Sequence, residues 1–183
     1  MAAARALSLG FALALLACEA TPTPTPDLGA GSSGLRQEPA VAAASERGHD
    51  LFFGKAMCST CHSVDREGTM IVGPNLGVGE GTTEPVARRV TSRGVQLDPA
   101  IYIIQSILDP DAVVVPGYAR GVMKSPDDIP VALSDDEFVD LAAFILTIRA
   151  TEPLDPAQLE LARTQIPLAR AARALRRAPP ATP

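Results

Sequence analysis

Hydrophobic positions along this chain change period from one stretch to the next. Residues 7–17 form an apolar run with no charge, preceded by the single charge of Arg5. That run falls short of the ~20 residues a membrane-spanning helix needs and fits the apolar region of a secretory signal. Next, ERGHDLFFGKAM at 46–57 predicts a helix on which Gly48 and Phe52, four residues apart, share a face. The segment DPAIYIIQSILDP at 98–110 predicts a second helix, with Asp98 as N-cap, Pro99 at the first helical position and Asp109-Pro110 as its stop. In LSDDEFVDLAAFILTIR, Ser134 and Glu137 make a capping box, and Phe138, Leu141, Ala142, Ile145 and Ile148 repeat at helical spacing. Toward the end, Leu159, Leu161, Ile166, Leu168 and Leu175 mix with five Arg. Pro167 is expected to interrupt any single long helix there, leaving 168–177 as a short amphipathic basic turn or two.

Between the first run and the first helix, residues 19–44 hold Thr-Pro repeats followed by Gly and Ser. Proline locks φ and removes donors while Gly and Ser add flexibility, so this stretch reads as a tether without a core of its own. The expected organisation is a leader at 1–17, a tether at 18–44, a folded domain at 45–149 and an Ala/Arg/Pro-rich tail at 150–183, partly helical or disordered. The net charge of −5 divides unevenly: −1 over 1–44, −6 over 45–149 and +2 over 150–183. This balance argues against a dedicated nucleic-acid binder, which needs a basic surface. An acidic head instead points to charge-steered, salt-dependent encounters with a protein. The tail has two readings. The plainer is a partly helical or disordered end, and the sharper is a segment docking on an anionic membrane or an acidic partner.

Candidate chemistry lies with three cysteines, an odd number that no fully paired disulfide framework within one chain accommodates. Cys18 ends the run Leu15-Leu16-Ala17-Cys18, which resembles the lipobox of bacterial lipoproteins, where cleavage falls before the Cys and its thiol is acylated. By that resemblance the mature protein is anchored to a membrane without spanning it. The alternative is a plain signal with a bystander Cys. Cys58-Ser59-Thr60-Cys61-His62 is C-x-x-C-H, the attachment signature of a c-type haem. Two thiols on one turn reach the two vinyl groups of one porphyrin, and the next residue projects its imidazole at the iron. A zinc site needs a second pair of ligands, for which only His49 and Cys18 remain. A thioredoxin-like pair wants a βαβ context, which is missing. A large flat haem also accounts for a chain of 183 residues with no Trp, 5 Phe and 2 Tyr.

Taken in order, residues 46–149 resemble the class I, single-haem cytochrome c family. The resemblance is carried by the Gly48/Phe52 helix ahead of C-x-x-C-H, by Gly73-Pro74-Asn75-Leu76 starting eleven residues after His62, and by the 98–110 helix. The Val-Val-x-Gly-Tyr run before Met123 and the closing helix complete it. It implies an all-α fold of three to five helices around one haem, bound covalently through Cys58 and Cys61 with His62 on the iron. It implies close packing of the Gly48/Phe52 face on the closing helix, with Phe144 as aromatic partner. It also implies that the Pro74 carbonyl accepts the outer imidazole proton of His62, orienting the ring and raising its basicity. Tyr102, Tyr118, Arg88, Arg89 and Arg120 are candidates to meet the haem propionates. The expected apolar walls are Val72, Leu76, Ile103, Ile107, Val113 to Val115 and Phe144.

Iron held by His and Met is a low-spin electron carrier with a raised potential. Beyond the leader the methionines are Met57, Met70 and Met123. Met57 adjoins the attachment turn and Met70 lies in the loop leading to Pro74, both on the histidine side. Met123, 61 residues past His62, follows a helix and a loop long enough to reach the opposite face, and is the expected sixth ligand. His49 is its main rival. The family often has Met-Pro at this point, where this chain reads Met123-Lys124-Ser125-Pro126.

These expectations describe a one-electron carrier, not an enzyme, because a six-coordinate iron leaves no open position. It would be lipid-anchored on the periplasmic side of a bacterial membrane. Its partners would be membrane-bound respiratory redox proteins: a quinol-oxidising complex or dehydrogenase on one side, a terminal oxidase or reductase on the other. Alternatively it is a haem subunit fixed in such a complex. Readings from other classes are a haem enzyme or gas sensor with a displaceable Met, and a non-haem metal or disulfide protein. A visible spectrum with carbon monoxide and a haemochrome assay separate them.

Overall fold

The computed structural model describes residues 35–65, 72–77 and 97–179. The leader, most of the tether, Cys18, Met70, Arg88 and Arg89 lie outside these residues. Among the described residues there are four α-helices and no strand, an all-α arrangement. They are α1 (Pro39–Phe53), α2 (Pro99–Leu108), α3 (Asp135–Thr147) and α4 (Ala157–Arg177), with a 3₁₀ turn at Cys58–Thr60.

The first three helices begin where a side chain takes up an orphan N–H. Asp98 accepts from the Ala100 amide at the head of α2, with Pro99 just inside. Ser134 and Glu137 form both halves of the capping box at the head of α3. Glu38 accepts from the Ala40 amide and Pro39 opens α1. The last of these moves a boundary: residues 39–44, expected as the end of the tether, are helix. The Ala-rich stretch is a strong helix former, and Val41 and Ala44 are buried in the fold.

The α1–α3 contact is the most extensive in the molecule. Gly48 sits against the α3 backbone so closely that a Cβ there would lie 1.9 Å from the Asp140 carbonyl oxygen. Phe52 and Phe144 meet beside it with centroids 5.3 Å apart. The margins are polar. Arg47 donates twice to Asp140 at 2.7 Å, Ser45 and Thr147 share a hydroxyl bond of 2.8 Å, and Lys55 reaches Glu137 at 2.7 Å.

The tail corrects a second expectation. Pro167 does not divide it: α4 runs unbroken from Ala157 to Arg177 with Pro167 inside. It packs on α2 and α3 and belongs to the fold. The face it buries is Ala162, Ile166, Ala169 and Arg173, while Leu168 and Leu175, the bulkier residues, are 60% and 79% exposed. An interior proline costs about 3 kcal/mol. Burying Ile166 completely returns roughly 2–3 kcal/mol, and two buried alanines and several ion pairs add to that. Pro167 itself faces solvent.

Candidate functional site

The 3₁₀ turn places Cys58 and Cys61 on one short arc, and the His62 amide donates back to the Cys58 carbonyl at 2.9 Å. Segment 72–77 then lies along 61–65. The Gly73 amide donates to Cys61 O at 2.9 Å and the Leu76 amide to Ser63 O at 2.7 Å. This pairing brings the Pro74 carbonyl to 2.8 Å from His62 Nδ1. Pro74 lacks an N–H, so Nδ1–H is the donor, and Nε2 is left with a lone pair. Gly73 packs on the imidazole: a Cβ there would lie 2.5 Å from Cε1. Burial pushes the His62 pKa below the ordinary imidazole value, which keeps the ring neutral and able to ligate.

Cys58 and Cys61 are free thiols in the structure. Burial pushes the Cys58 thiol up to about 11, the opposite of the lowered value an activated redox dithiol needs. Among the described residues no group of three or more His, Cys, Asp or Glu is placed to hold a metal ion.

These residues open onto one cleft of about 400 Å³. Its walls bring together Cys58, Cys61, His62, Pro74, Tyr102, Tyr118 and Met123. Val72, Leu76, Ile103, Ile107 and Val113 to Val115 line it as expected, joined by Phe52, Ile145 and Val131. Met57, Val72, Val113, Val122 and Met123 are its exposed apolar members, with Met123 38% exposed.

Two expected placements differ, and the rival ligand stays out of the cleft. Phe144 is not among the lining residues; it packs into an aromatic cluster with Phe52, Phe53 and His49. His49 stacks edge-on against Phe144 at 5.3 Å, away from the cleft, and so is not placed as a ligand. Arg120 is exposed and donates to the Asp111 carbonyl, without lining the cleft.

The residues present fit a covalent haem. Two unpaired thiols, a neutral imidazole held from behind by a carbonyl, and a thioether border one apolar cleft. A family model described as Cytochrome c matches residues 45–149, more than half of the chain. The chain belongs to the cytochrome c family. A comparison with curated proteins gave no match. As a cytochrome c it carries a c-type haem, bound covalently through Cys58 and Cys61, and its activity is haem-based electron transfer. The haem supplies one reversibly exchanged electron. The protein's own residues orient the His62 ring through Pro74, exclude water with the apolar walls and leave an apolar rim at the cleft mouth.

Sequence reasoning passed over Asn75. It is buried, donates through Nδ2 to the Asp65 carbonyl at 3.2 Å and accepts from the Gly77 amide at 2.8 Å. It thereby staples the Pro74 segment to the chain just after His62. Its place after Gly73-Pro74, as a residue that favours side-chain-to-backbone turns, was the available signal.

Proposed function

We propose that this cytochrome c is a one-electron carrier, not an enzyme, whose iron is held by His62 and Met123. The observation that supports the reading is the shared cleft: Met123 borders it together with His62 and both cysteines. A thioether and an imidazole on one iron favour the ferrous state, and apolar walls raise the potential further by disfavouring the extra positive charge of the ferric form. Tyr102 and Tyr118 border the same cleft and are the candidates to donate to the propionates. Met57 also borders it, one residue before Cys58.

The deciding experiment compares Met123→Ala with Met57→Ala in the holoprotein. Met123→Ala is expected to keep the covalent haem, lose the far-red Met–Fe(III) absorption, lower the potential and let the ferrous form bind carbon monoxide. Met57→Ala is expected to resemble the parent. If Met123→Ala keeps the parent spectrum, the ligand assignment is wrong.

The cellular setting we propose is a lipid anchor at Cys18 on the periplasmic side of a bacterial membrane. The tether raises effective concentration near membrane-bound respiratory partners, a quinol-oxidising complex or dehydrogenase and a terminal oxidase or reductase. Among the described residues no helix is long and apolar enough to cross a membrane. Cys18→Ser is expected to release the protein from the membrane fraction and to abolish labelling by a fatty-acid probe. Salt-sensitive single-turnover oxidation by an isolated oxidase supports a mobile carrier, and co-purification at high salt a fixed subunit.

A further inference from the structure

Five arginines project from α4, and each meets an aspartate elsewhere in the fold. Arg163 reaches Asp136 in the first turn of α3. Arg170 bridges Asp127 at 2.9 Å and Asp135 at 2.6 Å, with its guanidinium over the Phe138 ring. Arg173, whose side chain is only 8% exposed, reaches Asp127 at 3.6 Å and closes on Asp128. Arg177 adds a contact to Asp128 at 3.4 Å. Arg176 closes on Asp109, a carboxylate only 6% exposed at the end of α2.

The distribution of these partners is the informative part. Asp127 and Asp128 stand four and five residues after Met123, beside the buried pair Ser125 and Pro126. Asp109 immediately precedes Pro110 and Asp111, which line the cleft. Four of the five arginines therefore grip the two roots of one loop, 109–128, and that loop carries Met123. The helix that grips them is itself seated in the core through Ala162, Ile166 and Ala169.

We infer that α4 is a clasp for the methionine loop, with Arg173 and Asp128, seconded by Arg176 and Asp109, as positioning residues that hold Met123 over the cleft. The inference rests on the reading of Met123 as ligand. Its physical basis is the contrast among the pairs. Arg173 lies where water screens its attraction least, so removing the Asp128 charge leaves an enclosed guanidinium with only the more distant Asp127. Arg163 and Asp136, with side chains 44% and 80% exposed, form an ordinary surface pair of small worth. The clasp makes the ease with which the thioether leaves the iron a property of the C-terminal helix, outside the 45–149 match.

The test uses four variants of the holoprotein: Arg173→Ala, Arg173→Lys, Asp128→Asn and Arg163→Ala. Three readouts are followed: the far-red Met–Fe(III) band, the midpoint potential and the rate of carbon monoxide binding to the ferrous form. Arg173→Ala and Asp128→Asn are expected to weaken the band, lower the potential and speed carbon monoxide binding by about tenfold, as the Met-off fraction rises. Arg173→Lys, which keeps the charge, is expected to recover part of each, and Arg163→Ala to match the parent. Where Arg173→Ala yields no folded holoprotein, Asp128→Asn, at a partly exposed position, decides. Parent values of band, potential and rate in Asp128→Asn and in any folded Arg173→Ala overturn the clasp, even if their melting temperatures fall. Met123→Ala, run alongside, separates the two failures. If it loses the band while the clasp variants keep theirs, only the clasp is overturned; if it keeps the band, the ligand reading falls and the clasp with it.

Discussion

The two sides of this cytochrome c are held together by different physics. Where α1 crosses α3, the backbones touch at Gly48 and the rings of Phe52 and Phe144 fill the space beside them. Charges there are fewer, with Arg47 on the buried Asp140 and Lys55 on Glu137. Where α4 crosses α2 and the methionine loop, α4 itself buries one isoleucine and two alanines against the apolar face of α2, and arginine–aspartate pairs add to the contact. The histidine side thus rests on shape, which salt does not screen. The methionine side rests in good part on charge, which salt and acid weaken. On the proposed ligation by His62 and Met123, the exchangeable ligand would lie on the more condition-dependent half.

The largest expected effect breaks the shape-held side. Gly48→Ala adds one methyl where no flexible side chain can yield, since the obstacle is the Asp140 carbonyl at 1.9 Å. Alanine in place of glycine favours a helix by about 1 kcal/mol, while overpacking costs about 3 kcal/mol at such a contact, so the net sign is destabilising. Denaturant unfolding of the holoprotein should show a net loss of about 2 kcal/mol, the difference of those terms. The loss should be the same at low and high salt. A stabilised Gly48→Ala, or a loss that shrinks in salt, would contradict the division.

The histidine half was also the legible half. C-x-x-C-H, the Asp98 cap, the Ser134–Glu137 capping box and the Gly48/Phe52 spacing are local signals, and the structure places them as local rules require. The other half resisted for physical reasons. The inward stripe of α4 is Ala162, Ile166, Ala169 and Arg173, in which alanine and arginine do not register as an apolar face. Leu168 and Leu175 pointed to a face the fold leaves in solvent, and Pro167 argued for a break. What overrode those signals is charge complementarity across more than 40 residues. Counting −6 for the head and +2 for the tail separately hid that each is the other's partner. The start of α1 was missed because an alanine run just after Pro39 looks like linker until Val41 finds a core.

Acid gives a middle-sized effect that sharpens the contrast. The Asp128 carboxyl is held below its ordinary value, first by the hydrogen bond from Arg173, and Glu137 likewise by Lys55. A depressed folded pKa contributes stability that is present in full above the unfolded value. It is lost as pH falls through the folded one, so both contributions fade below about pH 4. Both halves weaken, but not equally. On the α1–α3 side the packing remains, whereas at α4 a protonated Asp128 leaves Arg173 and Arg177 to repel one another. Hydrogen exchange, corrected for its intrinsic pH dependence, should therefore show peptides from 157–177 losing protection at a higher pH than peptides from 39–53. Simultaneous loss would mean the two faces are one cooperative unit and the distinction has no thermodynamic content.

The smallest expected effect tests whether arginine on α4 matters for its position or merely for its charge. Arg163 lies on the same helix as Arg173 and meets an aspartate of the same fold, yet its pair is exposed and touches neither root of the methionine loop. An exposed pair of this kind contributes about 0.5 kcal/mol or less. Arg163→Ala removes the same formal charge as Arg173→Ala, so any effect of the helix's overall charge on stability would be common to both. Thermal unfolding should place Arg163→Ala within about 0.5 kcal/mol of the parent, with Arg173→Ala well below it, because Arg173 is enclosed and shared by Asp127 and Asp128 whereas Arg163 meets one exposed carboxylate. Equal losses in the two variants would mean that α4 is attracted to the acidic head as a whole, and that no particular pair holds it.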